Sequence, residues 1–312
     1  MRKPAFRLAA ACVATLALAA CGKEEPGAGP AATTATKVAE PAVPPYSYPP
    51  PVKGHYKEVN VGEFDVVDGI AYPDPAGRGT VVYVTSKPIA SPMIAGSACP
   101  MTQARALSQL RDASYLEVTL AKGVSKYFAA GKSFGGSSRE EAVGSRYWQS
   151  RMKDDLDRAT GQVVHKLYGS FEFDLPISKP LVNELSQGDW IHGTRWDTTA
   201  AKPAQEALAA AYQAVHDAAM KRNLKALLAA QEFDAKQVEA IRGLSGIDAD
   251  LAVYSERFLN AAVAPEFSAK AGTGYVRIEG ANAKGKKFAN YYHFAPCGRD
   301  RLVLVFIAEN PQ

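Results

Sequence analysis

The hydrophobic period of this chain changes near residue 200, so no single type of regular element can serve both halves. Upstream, apolar residues recur at every second position or fall in short β-branched and aromatic runs, the pattern of strands. Residues 59–67, 69–72, 80–85, 115–120 and 126–129 read this way, with a turn at Asp74-Pro75-Ala76-Gly77. Pro100 opens a predicted helix in which Ala104, Leu107 and Leu110 share a face, since proline is tolerated at a first helical position. Residues 139–158 are heavily charged and read as a partly helical excursion outside the sheet. Residues 162–175 form the longest extended run, bent at Gly169. An antiparallel, sandwich-like β-rich domain with one inserted helix accounts for these segments.

Downstream of Pro203 the period is helical. Leu208, Ala211, Tyr212, Val215 and Ala219 make an apolar stripe over residues 204–222, and Asn223 is placed to cap a shorter helix ending near Ala230. Asp234 and Gln237 have the spacing of a capping box before Val238, Ile241 and Leu244. A further helix from Asp248 carries Leu251, Tyr254, Phe258 and Leu259, and three strands follow at 274–279, 287–294 and 302–308. The last has no polar face and is expected to be central and covered on both sides. The whole is therefore α+β, with a β-rich domain followed by a helices-then-antiparallel-sheet domain. Helices followed by a strand meander, over residues 203–312, are similar to the cone-shaped nuclear transport factor two-like superfamily. The resemblance implies an enclosed pocket, although members of that family have more than three strands.

Residues 1–20 begin with the basic stretch containing Arg2, Lys3 and Arg7 and continue with an apolar run from Leu8 to Ala20. That run is too short to span a bilayer and reads as a secretion signal. It ends in Leu18-Ala19-Ala20-Cys21-Gly22, which resembles the lipobox of bacterial lipoproteins. The resemblance implies cleavage before Cys21 and acylation of its thiol and new amine. Each buried methylene of such chains contributes about 0.8 kcal/mol to membrane attachment. Glycine in place of aspartate at position 22 implies, within that family, an outer-membrane address facing the periplasm. The following stretch to Pro51 is mostly Pro, Ala, Thr and Gly and cannot bury a core. As a flexible coil about 30 residues span roughly 30 Å, and as polyproline II up to roughly 90 Å. The expected organisation is a signal over 1–20, a tether over 21–54, the β-rich domain over 55–182, a linker over 183–202 and the α+β domain over 203–312.

Without Arg2, Lys3 and Arg7 the chain has 33 basic against 32 acidic residues, which removes the electrostatic motive for a nucleic-acid partner. Cys12 lies in the signal and Cys21 carries the lipid, so Cys99 and Cys297 remain. In an oxidising compartment the pair reads as one disulfide, worth up to about 5 kcal/mol in the chain-entropy model. Two buried thiols, or a metal-binding or catalytic thiol, are the alternatives. No second Cys or His stands at ligand spacing beside either one.

Catalytic signatures are sparse. Gly131-Lys132-Ser133-Phe134-Gly135 fits the G-x-S-x-G pattern of a nucleophile elbow, but strand-helix alternation around Ser133 is missing. A glycine-rich loop is the plainer reading, with a cell-envelope serine hydrolase as the alternative function. The five histidines show no H-E-x-x-H pair, and no metal or other cofactor is implied. Two features suggest binding. Trp190, His192 and Trp196 crowd the linker, where the indoles either fix the two domains together or form a contact for an envelope protein. Asn290 is the polar residue on a strand face shared with Phe288, Tyr292 and Phe294. It either bonds a neighbouring helix end or orients a small apolar ligand beneath Tyr212 and His216. The expectation is a non-catalytic, membrane-anchored periplasmic lipoprotein that binds a protein or small ligand.

Overall fold

The structure, a computed structural model, describes residues 43–59, 61–74, 77, 79–121, 125–130, 136–141, 148–155, 157–179, 205–261, 264–270, 273–282, 284–298 and 301–309. Among them the fold is α+β, with three antiparallel sheets and six helices. None of these helices is long and apolar enough to cross a membrane.

The first sheet has the order β2-β1-β10-β9-β8, formed by β1 (Val52–Glu58), β2 (Gly62–Val66), β8 (Trp148–Asp154), β9 (Arg158–His165) and β10 (Gly169–Pro176). The second runs β3-β4-β5-β6-β7: β3 (Asp68–Pro73), β4 (Gly79–Thr85), β5 (Tyr115–Ala121), β6 (Ser125–Ala130) and β7 (Gly136–Glu141). The two share one apolar core, in which Tyr56, Val163, Phe171 and Phe173 of the first sheet meet Ala71, Val82, Val84 and Leu116 of the second. The alternate residues of the second sheet, Ile70, Tyr72, Val81, Tyr83 and Tyr115, point away into a second core shared with the helices. Burial on both faces explains why β4 is an uninterrupted apolar run.

Two expectations fail here. The described parts of the charged segment 139–158 do not form an excursion: β7 and β8 are edge strands of the second and first sheets. An edge strand tolerates charge and needs no apolar alternation, so the pattern that marks buried strands is missing. The run 162–175 is also not one bent strand. β9 and β10 are an antiparallel pair, Gly169 facing His165, and Gly169 takes a φ of +115° that favours glycine.

α1 (Ser91–Ile94) and α2 (Pro100–Leu110) follow β4. Every residue of α2 is buried. Met101, Ala104, Leu107 and Leu110 join the core behind the second sheet, while Cys99 and Ala106 pack with β15 (Leu302–Glu309). The remaining helices are α3 (Gln205–Met220), α4 (Leu224–Ala230), α5 (Ala235–Arg242) and α6 (Ile247–Ser255). Asn223 caps α4 by accepting from the Ala226 amide at 3.0 Å. The Asp234–Gln237 capping box at α5 is complete, each side chain bonded to the other's backbone at 2.9 Å. Polar ties join this region to the segment after β4 and to the end of α2: Lys87 and Arg111 hold Asp250 at 2.7 and 3.0 Å, and Arg257 holds Asp112 at 2.6 Å.

The third sheet has the order β11-β13-β14-β15, and β12 also pairs with β13. Its strands are β11 (Asn260–Ala261), β12 (Glu266–Lys270), β13 (Thr273–Ala281), β14 (Lys287–Pro296) and β15. The short β11 and β12 are additional to the three strands expected. β15 is covered on both faces as its composition implies, by helices on one side and by α2 on the other, yet it lies at the sheet edge and is not central. Phe294 pairs with Leu304 and His293 with Phe306, so Val305 is an extra residue. This bulge puts Val305 and Phe306 on the same face, against the strict two-residue period.

The Cys99 and Cys297 sulfurs are bonded, with Cα atoms 5.1 Å apart. The bridge joins the residue preceding α2 to the one following β14.

Candidate ligand site on the inner face of the third sheet

β14 presents Phe288, Asn290, Tyr292 and Phe294 to the helices, in register with the inner residues of β13. α3 lies across this face and carries Tyr212 and His216 one turn apart, which places them on the same side of the helix. The rings meet. Tyr212 is edge-on to Tyr292 at 5.1 Å and 5.5 Å from the His216 ring, and Phe258 lies 5.3 Å from Tyr292 and 6.1 Å from His216.

Polar groups thread this aromatic cluster. Arg257 lies two residues beyond α6, and its carbonyl accepts from Asn290 Nδ2 at 3.0 Å and from the Tyr292 hydroxyl at 2.9 Å. The Tyr292 oxygen in turn accepts from the Leu259 amide at 3.3 Å. A helix end thus finds its partners in two strand side chains. Asn290 is 2 % exposed, and its Oδ1 has no hydrogen-bond partner among the described residues. Burial pushes the Tyr292 hydroxyl above the usual tyrosine range, and Tyr212 likewise, with Tyr292 and Asp217 adding to the second shift. At the rim, His216 Nδ1 is 3.4 Å from Asp217 Oδ1. Hydrogen bonds from His216 and then Gln213 hold the Asp217 carboxyl below its ordinary range.

The arrangement offers aromatic walls and one unused acceptor. An acid-base pair, His216 with Asp217, sits at the rim. Among the described residues, no group of three or more His, Cys, Asp or Glu side chains is placed to hold a metal ion.

Tyr212, His216 and Asn290, singled out in the sequence, therefore belong to one cluster, joined through Phe258 and Tyr292. Cys99 and Cys297 meet elsewhere, beside α2. Cys21, Ser133, Trp190, His192 and Trp196 lie outside the described residues. A buried carboxylate, Asp68, escaped the sequence reading, although an acid inside the apolar stretch Val66-Val67-Asp68-Gly69-Ile70 was the available signal. Comparison of the chain with protein-family models, curated proteins and solved structures found no match.

Proposed function

We propose that this chain is a lipid-anchored lipoprotein of the bacterial outer membrane, facing the periplasm, that binds a small and mostly apolar molecule without chemically altering it. The leader ending at Cys21 supports the anchoring, and the Cys99–Cys297 bond suits an oxidising compartment.

The binding reading is carried by Asn290 Oδ1, a buried acceptor with no donor among the described residues, set among Tyr212, Phe258 and Tyr292. A buried amide oxygen left unpaired costs about 1–3 kcal/mol, so the site favours a molecule that supplies one N–H or O–H donor on an aromatic or aliphatic body.

Native mass spectrometry of the detergent-solubilised, full-length protein tests the reading. The expected result is an added mass that is released on denaturation and is missing from Asn290→Leu, while non-reducing gel mobility and near-ultraviolet circular dichroism stay unchanged. A wild-type protein without added mass, or an Asn290→Leu variant that keeps it, overturns the reading.

A further inference from the structure

The chain immediately before β1 contains five prolines between residues 43 and 51, and its composition is that of the tether. It is nevertheless seated on the folded body at two points. At the first, Asp68 is fully buried at the start of β3, and no Lys, Arg or His pairs with it among the described residues. Its carboxylate accepts instead from the Gly69 amide at 2.8 Å, the Ile89 amide at 2.6 Å, the Ser91 hydroxyl at 2.5 Å and the Tyr48 hydroxyl. The Tyr48 oxygen accepts in turn from the Ala90 amide at 2.9 Å. Ala90 holds a φ of +54°, a left-handed conformation that costs a residue with a Cβ about 1 kcal/mol. That turn aims two successive amides, of Ile89 and Ala90, at the carboxylate and at the tyrosine.

The second point is at the end of α5. The Tyr46 amide donates to the Gly243 carbonyl at 2.9 Å. Gly243 has φ −78° and ψ −6°, which any residue adopts, so its backbone does not call for glycine. The approach of the chain does: a Cβ at 243 would stand 2.6 Å from the Pro44 carbonyl oxygen and 2.7 Å from the Tyr46 nitrogen. The Tyr46 and Tyr48 rings, 5.4 Å apart, both pack on the core shared by the helices and the second sheet. Proline on either side limits the conformational freedom that must be given up on docking.

We propose that residues 44–51 form a built-in strap that fixes where the lipid tether leaves the body, so that a pull on the anchor is taken up at Asp68 and Gly243 before it reaches β1. The shortened tether rests on the lipid anchoring proposed above, whereas the seating of the strap is independent of it. With the strap docked, 22 residues (22–43) separate Cys21 from the strap. Fully extended as polyproline II they would reach roughly 70 Å, against roughly 90 Å for the whole stretch.

Chymotryptic cleavage after Tyr46 in the full-length protein, followed by mass spectrometry, tests the strap. Tyr48→Phe removes the hydroxyl from the Asp68 seat, and Gly243→Ala crowds the other seat without touching Asp68. Cleavage is expected to be at least tenfold faster in both variants than in the wild type, with the Cys99–Cys297 bond intact. Equal rates in all three proteins overturn the strap, as does a wild-type Tyr46 amide that exchanges hydrogen as fast as an unstructured peptide. The wild-type exchange rate decides the matter even if a variant fails to fold. Metabolic palmitate labelling is read separately: its absence overturns the tether-shortening role and the anchoring together, while the cleavage ratio alone judges the seat.

Discussion

The Arg105 guanidinium donates to the Glu117 carboxylate at 2.8 Å where α2 crosses β5, and both side chains are buried. Such a pair holds α2 on the second sheet only while it is complete. Glu117→Ala leaves a cation in the core and is expected to cost about 3–5 kcal/mol in urea unfolding. Arg105→Met combined with Glu117→Met is expected to recover much of that loss, because neither charge is then buried without its partner. A double variant no more stable than the single one would show that the pair adds net stability.

Cys297→Ser removes the bridge to α2. Unfolding stability is expected to fall by about 2–5 kcal/mol, and the unreduced wild type should migrate faster on a denaturing gel than the variant. Equal mobility would contradict the bond.

Tyr292→Phe deprives the Leu259 amide of its acceptor and the Arg257 carbonyl of one donor, at an expected cost of about 1–3 kcal/mol. Asn290 donates to the same carbonyl. A double-mutant cycle with Asn290→Ala should therefore show a coupling of more than about 0.5 kcal/mol, and strict additivity would refute the shared acceptor.

Burial raises the Asp68 carboxyl above its ordinary value of 3.8, against the pull of the hydrogen bonds from Ser91, Tyr48, Ile89 and Gly69. The folded state then holds this proton more tightly than the unfolded chain. The stability Asp68 contributes is complete below about 3.8 and declines as pH rises through its folded value. Asparagine does not titrate, so the loss caused by Asp68→Asn should be largest in acid and smaller at pH 8. A loss that grows with pH would mean that the four donors outweigh burial.

His55 stands between two carboxylates on the β1–β2 hairpin, with Nδ1 2.9 Å from Asp65 and Nε2 3.0 Å from Glu63. The hydrogen bond to Asp65 leads in raising its pKa above 6.5. An NMR titration should place the imidazole midpoint above that value. Its small stabilisation is present below about 6.5 and fades as pH rises through the higher folded midpoint; solvent screening keeps it under about 1 kcal/mol.

Where local chemistry decides an element, the sequence was readable. Asp234 and Gln237 announce α5 because both capping bonds are made within four residues, and Asn223 does the same for α4. The second sheet was legible at β4 because burial on both faces demands an unbroken apolar run. Edge strands β7 and β8 were not, since an edge position tolerates charge and demands no apolar alternation. β15 misled for a related reason: its apolar character reflects α2, which covers its outer face from almost 200 residues away in the chain. Tyr212, His216 and Asn290 could be named as one group because helix and strand periods place them on facing surfaces. The Asp68 seat could not, since its donors Tyr48, Ile89 and Ser91 come together only through the tertiary fold.

The burial of α2 on every side bears on how the chain is made. Synthesis runs from the N-terminus, so α2 and Cys99 emerge long before β15 and Cys297 exist. Until the last strand arrives, the Cys99 and Ala106 side of the helix has no cover, and the thiol has no mate within this pair. Premature release or C-terminal truncation would therefore leave a sticky intermediate with an oxidisable thiol, and its protection would fall to chaperones.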